Sequence, residues 1–166
     1  MSQLSPVDNF IEQMGVITQT DGGPRIAGRI FGLLLAEGRP FGLNEMAERL
    51  QISKASASTN ARLLLGSGML HLTARAGDRQ DYYELGADPY GRMIDTISVR
   101  MREASIRVRE AEVLFPDPQD PARQRVRKLA AFYASSADFF NQWAEHLHQD
   151  ANASEFDPQD KNSARP

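Results

Sequence analysis

The 166-residue sequence contains no cysteine, which excludes a disulfide scaffold, a thiol redox sensor and a cysteine-ligated zinc site. Its three histidines are His71, in an extended stretch, and His146 and His148 near the end of a helical one. Residues two apart on a helix point roughly 200° from each other, unlike the i, i+4 pair that shares a metal. No apolar run approaches the roughly 20 residues needed to cross a bilayer. The opening MSQLSPVDNF lacks the basic and apolar regions of a signal peptide, so a cytoplasmic protein is expected. No glycine-rich loop follows a strand, because Gly22-Gly23-Pro24 reads as a helix break. No nucleophile–base set or carboxylate pair stands out, and Glu45 and Glu48 have no evident partner to perturb them. Neither an enzyme, a cofactor nor a metal centre is expected.

What the sequence does contain is an uneven distribution of charge. The net charge is −3, yet Arg49 to Arg79 holds five bases (Arg49, Lys54, Arg62, Arg75, Arg79) against the single acid Asp78. Phosphate binding depends on where positive charge sits, and an acidic remainder discourages indiscriminate contact. The plainer reading of these bases is a solvated face.

The same region carries the pattern of a helix-turn-helix. Met46, Ala47 and Leu50 share a face of a first short helix, Gln51-Ile52 turn the chain, and Ser53 is placed to cap a second helix. In that helix Ala57, Ala61, Leu64 and Leu65 recur at helical spacing and form a buried stripe. The opposite face carries Ser56, Thr59 and Arg62, flanked by Lys54 and Asn60, with no acid among them. Short hydrogen-bonding side chains with positive charge beside a sharp turn are the plan of a DNA-reading helix. Met69–Thr73 and Asp81–Leu85 then alternate like two strands, joined through the Gly77-Asp78 turn signal. That hairpin is a wing, and Arg75 and Arg79 beside its tip suit phosphates or a minor groove.

Outside this region the chain is helical. Ser5-Pro6-Val7-Asp8 opens a helix whose stripe is Phe10, Met14 and Ile17. Arg25–Glu37 is apolar on more than one side, as befits a central helix, and Gly28 and Gly32 allow another backbone to come close. From Asp88 to Phe115, Tyr90, Ile94, Ile97, Met101, Ala104, Val108, Ala111 and Phe115 keep a heptad seam. A helix packed on its own chain's neighbour is one reading of that seam; a contribution to dimerisation is the preferred one. A prolyl break at 116–121 precedes a last helix with Phe132, Tyr133, Phe139, Phe140 and Trp143, which suit a core or dimer interface better than a ligand cage.

PRIAGRIFGLLL, LNEMAERLQISKASASTNARLLLGSGML and GDRQDYYEL together resemble the GbsR branch of the MarR-type winged-helix transcriptional regulators, over about Gly23 to Leu85. SKASASTN followed by a DYY strand is the most specific part. The resemblance implies a homodimer on a pseudo-palindromic DNA operator, usually a repressor relieved by a small-molecule effector. It puts Lys54, Ser56, Thr59, Asn60 and Arg62 on the reading helix. Many wings of this type carry Asp-Arg-Arg at the tip, whereas this chain has Asp78-Arg79-Gln80, which leaves Arg79 as the minor-groove candidate.

The sequence therefore predicts a mainly α (α+β) winged helix-turn-helix protein with flanking N- and C-terminal helices forming a dimerisation region. The expected division is an N-terminal helix at 1–22, a DNA-binding domain at 23–87, dimerisation helices at 88–149 and a disordered polar tail at 150–166. The alternative is a winged helix that docks protein instead of DNA, against which the basic concentration argues.

Overall fold

Helix starts fall where the sequence places its caps. The computed structural model describes residues 4–155. Ser5 accepts the Asp8 amide through its hydroxyl at 3.1 Å and Pro6 opens α1 (Pro6–Thr20). Ser53 does the same for the Ser56 amide at the head of α4 (Lys54–Gly66). The Asp120 carboxylate accepts the Ala122 amide at 2.7 Å where α6 (Pro121–Glu155) begins. Each satisfies a donor that a helix start leaves without an internal partner.

The chain divides into two compact units, Met1–Pro89 and Tyr90–Pro166. In the first, α1 lies along α2 (Arg25–Glu37), so the N-terminal helix is part of this unit. The approach is close because the contact residues are small: a Cβ on Gly28 would collide with the Thr18 side chain and the Met14 carbonyl. Ile30, Phe31, Leu33 and Leu34 of α2 are buried from several sides, the central position their density implied. Gly38 ends α2 in the left-handed region, at φ 61°. There follow β1 (Phe41–Gly42), α3 (Leu43–Leu50), α4, β2 (Leu70–Thr73) and β3 (Tyr82–Leu85).

The sheet has three antiparallel strands in the order β1-β3-β2, with Phe41 opposite Tyr83 and Leu72 opposite Tyr83 on the other side. The alternation in the sequence predicts only the β2–β3 hairpin. β1 is too short to show an alternation, yet it buries Phe41 completely and anchors the base of the wing. With this sheet and its helices the fold is a winged helix-turn-helix.

The second unit is an antiparallel helical hairpin of α5 (Pro89–Glu112) and α6. Its seam differs from the one the large apolar residues suggested. The Ser98 hydroxyl donates to the Ala137 carbonyl at 3.0 Å, and the Ser105 hydroxyl to the Ala130 carbonyl at 2.9 Å. Seven residues before Ser98 and seven after Ala137, Gly91 and Ala144 are both buried. Small side chains bring the two backbones within reach of a seryl hydroxyl. Ile94, Met101 and Val108 fill the positions between, while Tyr90 and Ala111, expected in the seam, are exposed. At the loop end the Glu112 carboxylate, 8% exposed, receives Arg123 at 3.1 Å and Arg127 at 2.8 Å. Those two guanidiniums, Arg127 first, hold its pKa below the ordinary range. α6 continues to Glu155, beyond residue 150 where the sequence reading starts its tail; the remainder of that tail lies outside the described residues.

Candidate nucleic-acid interface

The reading helix is fixed to the rest of its unit by an unusual turn. Gln51 adopts φ 53°, a left-handed conformation without the help of glycine, and the Ile52 amide donates to the Ala47 carbonyl at 2.9 Å. This is how α3 stops and α4 restarts within three residues. Met46 and Leu50 of α3 are buried, as are Ala57, Ala61 and Leu64 of α4. Arg29 of α2 donates to the Leu50 carbonyl at 3.0 Å and stands 2.7 Å from Glu12 of α1. α4 is thus seated by apolar contacts on one side and presents its other side to solvent.

The exposed side contains Lys54, Ala55, Thr59, Arg62 and Leu63, with Ser56 and Ser58 half-buried at its margins. No acid lies on this face. Arg62 folds back along the helix, its Nε 3.3 Å from the Ser58 carbonyl. Lys54 is exposed and has no ion pair or hydrogen bond among the described residues.

Asn60 departs from the sequence reading. It is only 9% exposed, and its amide donates to the Ser56 carbonyl at 2.9 Å. Sitting about 100° around the helix from Thr59, it lies on the packed flank and not on the exposed face where the sequence places it. Ala55 and Leu63, which the sequence reading passed over, hold the exposed places instead; Leu63 is 51% exposed. Their solvent side was legible in helical spacing, but apolar character assigned them to no role.

The wing shows the same sorting. Arg75 lies over the Tyr82 ring, 4.0 Å from its centroid, and donates to the Pro40 carbonyl at 3.2 Å. The Tyr82 hydroxyl donates to Asp78 at 2.7 Å, and the Gln80 side-chain amide donates to that hydroxyl, also at 2.7 Å. The Gln80 backbone amide closes a second bond to Asp78 at 3.1 Å. The Tyr82 hydroxyl and then the Gln80 amide hold the Asp78 carboxyl below its ordinary pKa. The tip is therefore latched, with Gly77 at φ 84° making the turn. Arg79 is exposed and has no side-chain partner among the described residues.

Of the five bases that gave the region its positive balance, Arg49 is also internally engaged. It pairs with Asp8 of α1 at 2.7 Å and stands 3.6 Å from Glu37 of α2. These partners are distant in sequence, so no local pattern announces them. The charge available to an incoming polyanion is carried by Lys54, Arg62 and Arg79. His71 faces Glu84 across the hairpin at 2.8 Å. Among the described residues no group of three or more His, Asp or Glu is placed to hold a metal ion, and no helix is long and apolar enough to cross a membrane.

No protein-family model matches the chain. It is 39% identical over 77 residues to the HTH-type transcriptional regulator MmpR5 of Mycobacterium tuberculosis, a match covering 46% of this chain and 47% of that protein. The alignment thus spans about half of that relative's length. A Bacillus subtilis protein assigned as an HTH-type transcriptional regulator, YvaV, is 25% identical over 149 residues and 84% of each chain. The crystal structure of a transcriptional regulator superposes with a TM-score of 0.76 at 25% identity, covering 87% of this chain and 99% of the other. The relatives are HTH-type transcriptional regulators, and the structural neighbour shares the fold.

Proposed function

We propose that the chain is a DNA-binding transcriptional regulator that acts as a homodimer, of the GbsR-like branch of the MarR type, and that it represses from a pseudo-palindromic operator under control of a small-molecule effector. The observation that carries the DNA-binding part is an acid-free exposed face on α4 combined with the Arg79 guanidinium, which has no partner among the described residues, at a latched wing tip. The names of its relatives support the same reading. Two copies of α4 related by a two-fold axis enter successive major grooves about 10 bp apart. Lys54 and Arg62 bind phosphates beside them, and Arg79 reaches the minor groove. Thr59 and the margin residue Ser56 face the base edges.

Homodimerisation draws support from each unit separately. On α6, Leu129, Phe132, Phe139 and Trp143 are exposed at heptad spacing, which is a stripe for another helix. On α1, Val7, Val16 and Ile17 are exposed. Repression and effector control rest on the family resemblance.

The test is fluorescence anisotropy with the duplex lying immediately upstream of the protein's own gene, against an unrelated duplex of equal length, at two salt concentrations. Tighter binding to the upstream duplex, weakening steeply with salt, is expected. Equal affinity for both duplexes, or none for either, would overturn the proposal.

A further inference from the structure

The reading face of α4 has few groups with which to tell one base from another. Arg62 is its only long polar side chain besides Lys54, and the removal of Asn60 to the packed flank takes away the one amide capable of a bidentate bond to adenine. What the face offers instead is methyl groups. With Thr59 as origin, Ala55 and Leu63 lie about 40° to either side of it, one turn before and one turn after. All three are exposed.

Leu63 is the informative member. The core of this unit takes Ala57, Ala61 and Leu64 from the same helix, and a leucine 51% exposed adds little to it. Ala55, at the start of the helix, adds nothing. In the major groove the thymine C5-methyl is the apolar group that distinguishes one base pair's edge from the others, and alanine, threonine methyl and larger apolar side chains are the groups that contact it.

We infer that Ala55, Thr59 and Leu63 form an apolar strip that reads thymine methyl groups in the major groove. The inference rests on the proposed DNA-binding role and adds the chemistry by which this helix selects sequence. Arg62, about 60° from Thr59 on the Ala55 side, supplies the polar contact that sets the register. From Ala55 to Leu63 the helix advances about 12 Å, which is three to four base steps. Each half-site therefore carries two or three recognised thymines within about four base pairs.

The experiment uses the full chain and duplexes enriched by it from a random library, with each thymine replaced in turn by deoxyuridine, which differs only by the methyl. Affinity should fall about fourfold at each recognised thymine, the factor for withdrawing one methyl from apolar contact, and stay level elsewhere. Leu63→Ala should abolish the methyl preference at one position, and Thr59→Ser, which keeps the hydroxyl, at another. Deoxyuridine duplexes bound as tightly as thymidine ones would overturn the inference while leaving DNA binding intact. So would variants that retain the wild-type methyl preference at every position. Enrichment of no duplex at all would overturn the DNA-binding proposal, and this inference with it.

Discussion

Arg75 and Arg79 are four residues apart on one wing, and they are employed differently. Arg75 is committed to the Tyr82 ring and the Pro40 carbonyl, whereas Arg79 points to solvent without a partner among the described residues. Salt dependence separates such roles, since each phosphate neutralised by a base contributes a fixed increment to the slope of log K against log salt. Arg79→Ala should lower that slope by about one per protomer. Arg75→Ala should leave the slope nearly unchanged and instead lower the melting temperature, because it loosens β1 from the wing. Identical slopes for wild type and Arg79→Ala, measured by anisotropy from low to physiological salt, would remove the wing tip from the interface. Residue-scale roles were the least legible part of the sequence. Asn60 has polar neighbours that suggest surface, but its place at helical spacing with Ala57, Ala61 and Leu64, its 9% exposure and its bond to the Ser56 carbonyl put it on the packed flank. Arg49 looked available because Asp8 and Glu37, its partners, lie far along the chain.

Elements were read more easily, because caps and helical periodicity are local signals. Ser5, Ser53 and Asp120 each start a helix as their side chains dictate. The face of α5 was legible only in part, since small and polar residues join its heptad stripe in the packed seam. Large apolar residues trace one stripe there, while the packed seam runs through Gly91, Ser98, Ser105 and Glu112, residues that composition assigns to surface or turn. Close backbone approach favours small side chains, and hydrophobicity alone does not register that preference. Ala137 is fully buried in this seam. Ala137→Leu should destabilise the protein by roughly 1–3 kcal/mol through overpacking, whereas Ala131→Leu on the exposed side of α6 should change little; urea denaturation compares them. Glu112 gives the hairpin a pH signature. Because its folded pKa is depressed by Arg127 and Arg123, it contributes stability above its unfolded pKa, and that contribution disappears as pH falls through the folded value. Glu112→Gln should therefore melt below wild type at neutral pH, and the two curves should converge in acid. A gap that persists unchanged at low pH would assign the effect to packing.

At the scale of the whole chain, the winged helix-turn-helix between α2 and β3 was legible because turn chemistry and alternation agree there. The chain divides near Pro89, within two residues of the end of the expected DNA-binding domain, and α1 packs on α2 through glycines. Surface apolar groups bear on assembly. If the proposed homodimer forms through this stripe, Phe132→Glu combined with Trp143→Glu should shift the protein from dimer to monomer in sedimentation velocity, and weaken binding to the proposed operator at nanomolar protein far more than at micromolar. A double variant that still sediments as the wild type does would detach α6 from assembly.

The seam of glycine, serine and alanine has a bearing on how many copies of the protein survive. It joins two backbones through small side chains, and leaves Leu129, Phe132, Phe139 and Trp143 exposed. In the proposed homodimer such a hairpin would bury these side chains against a second molecule, and its unfolding would be linked to concentration by mass action. Its melting temperature should climb over a hundredfold range of protein, and a flat profile would show a hairpin that stands alone. Where the link holds, scarcity exposes each copy to proteolysis, and the number of competent molecules falls more steeply than the rate of synthesis.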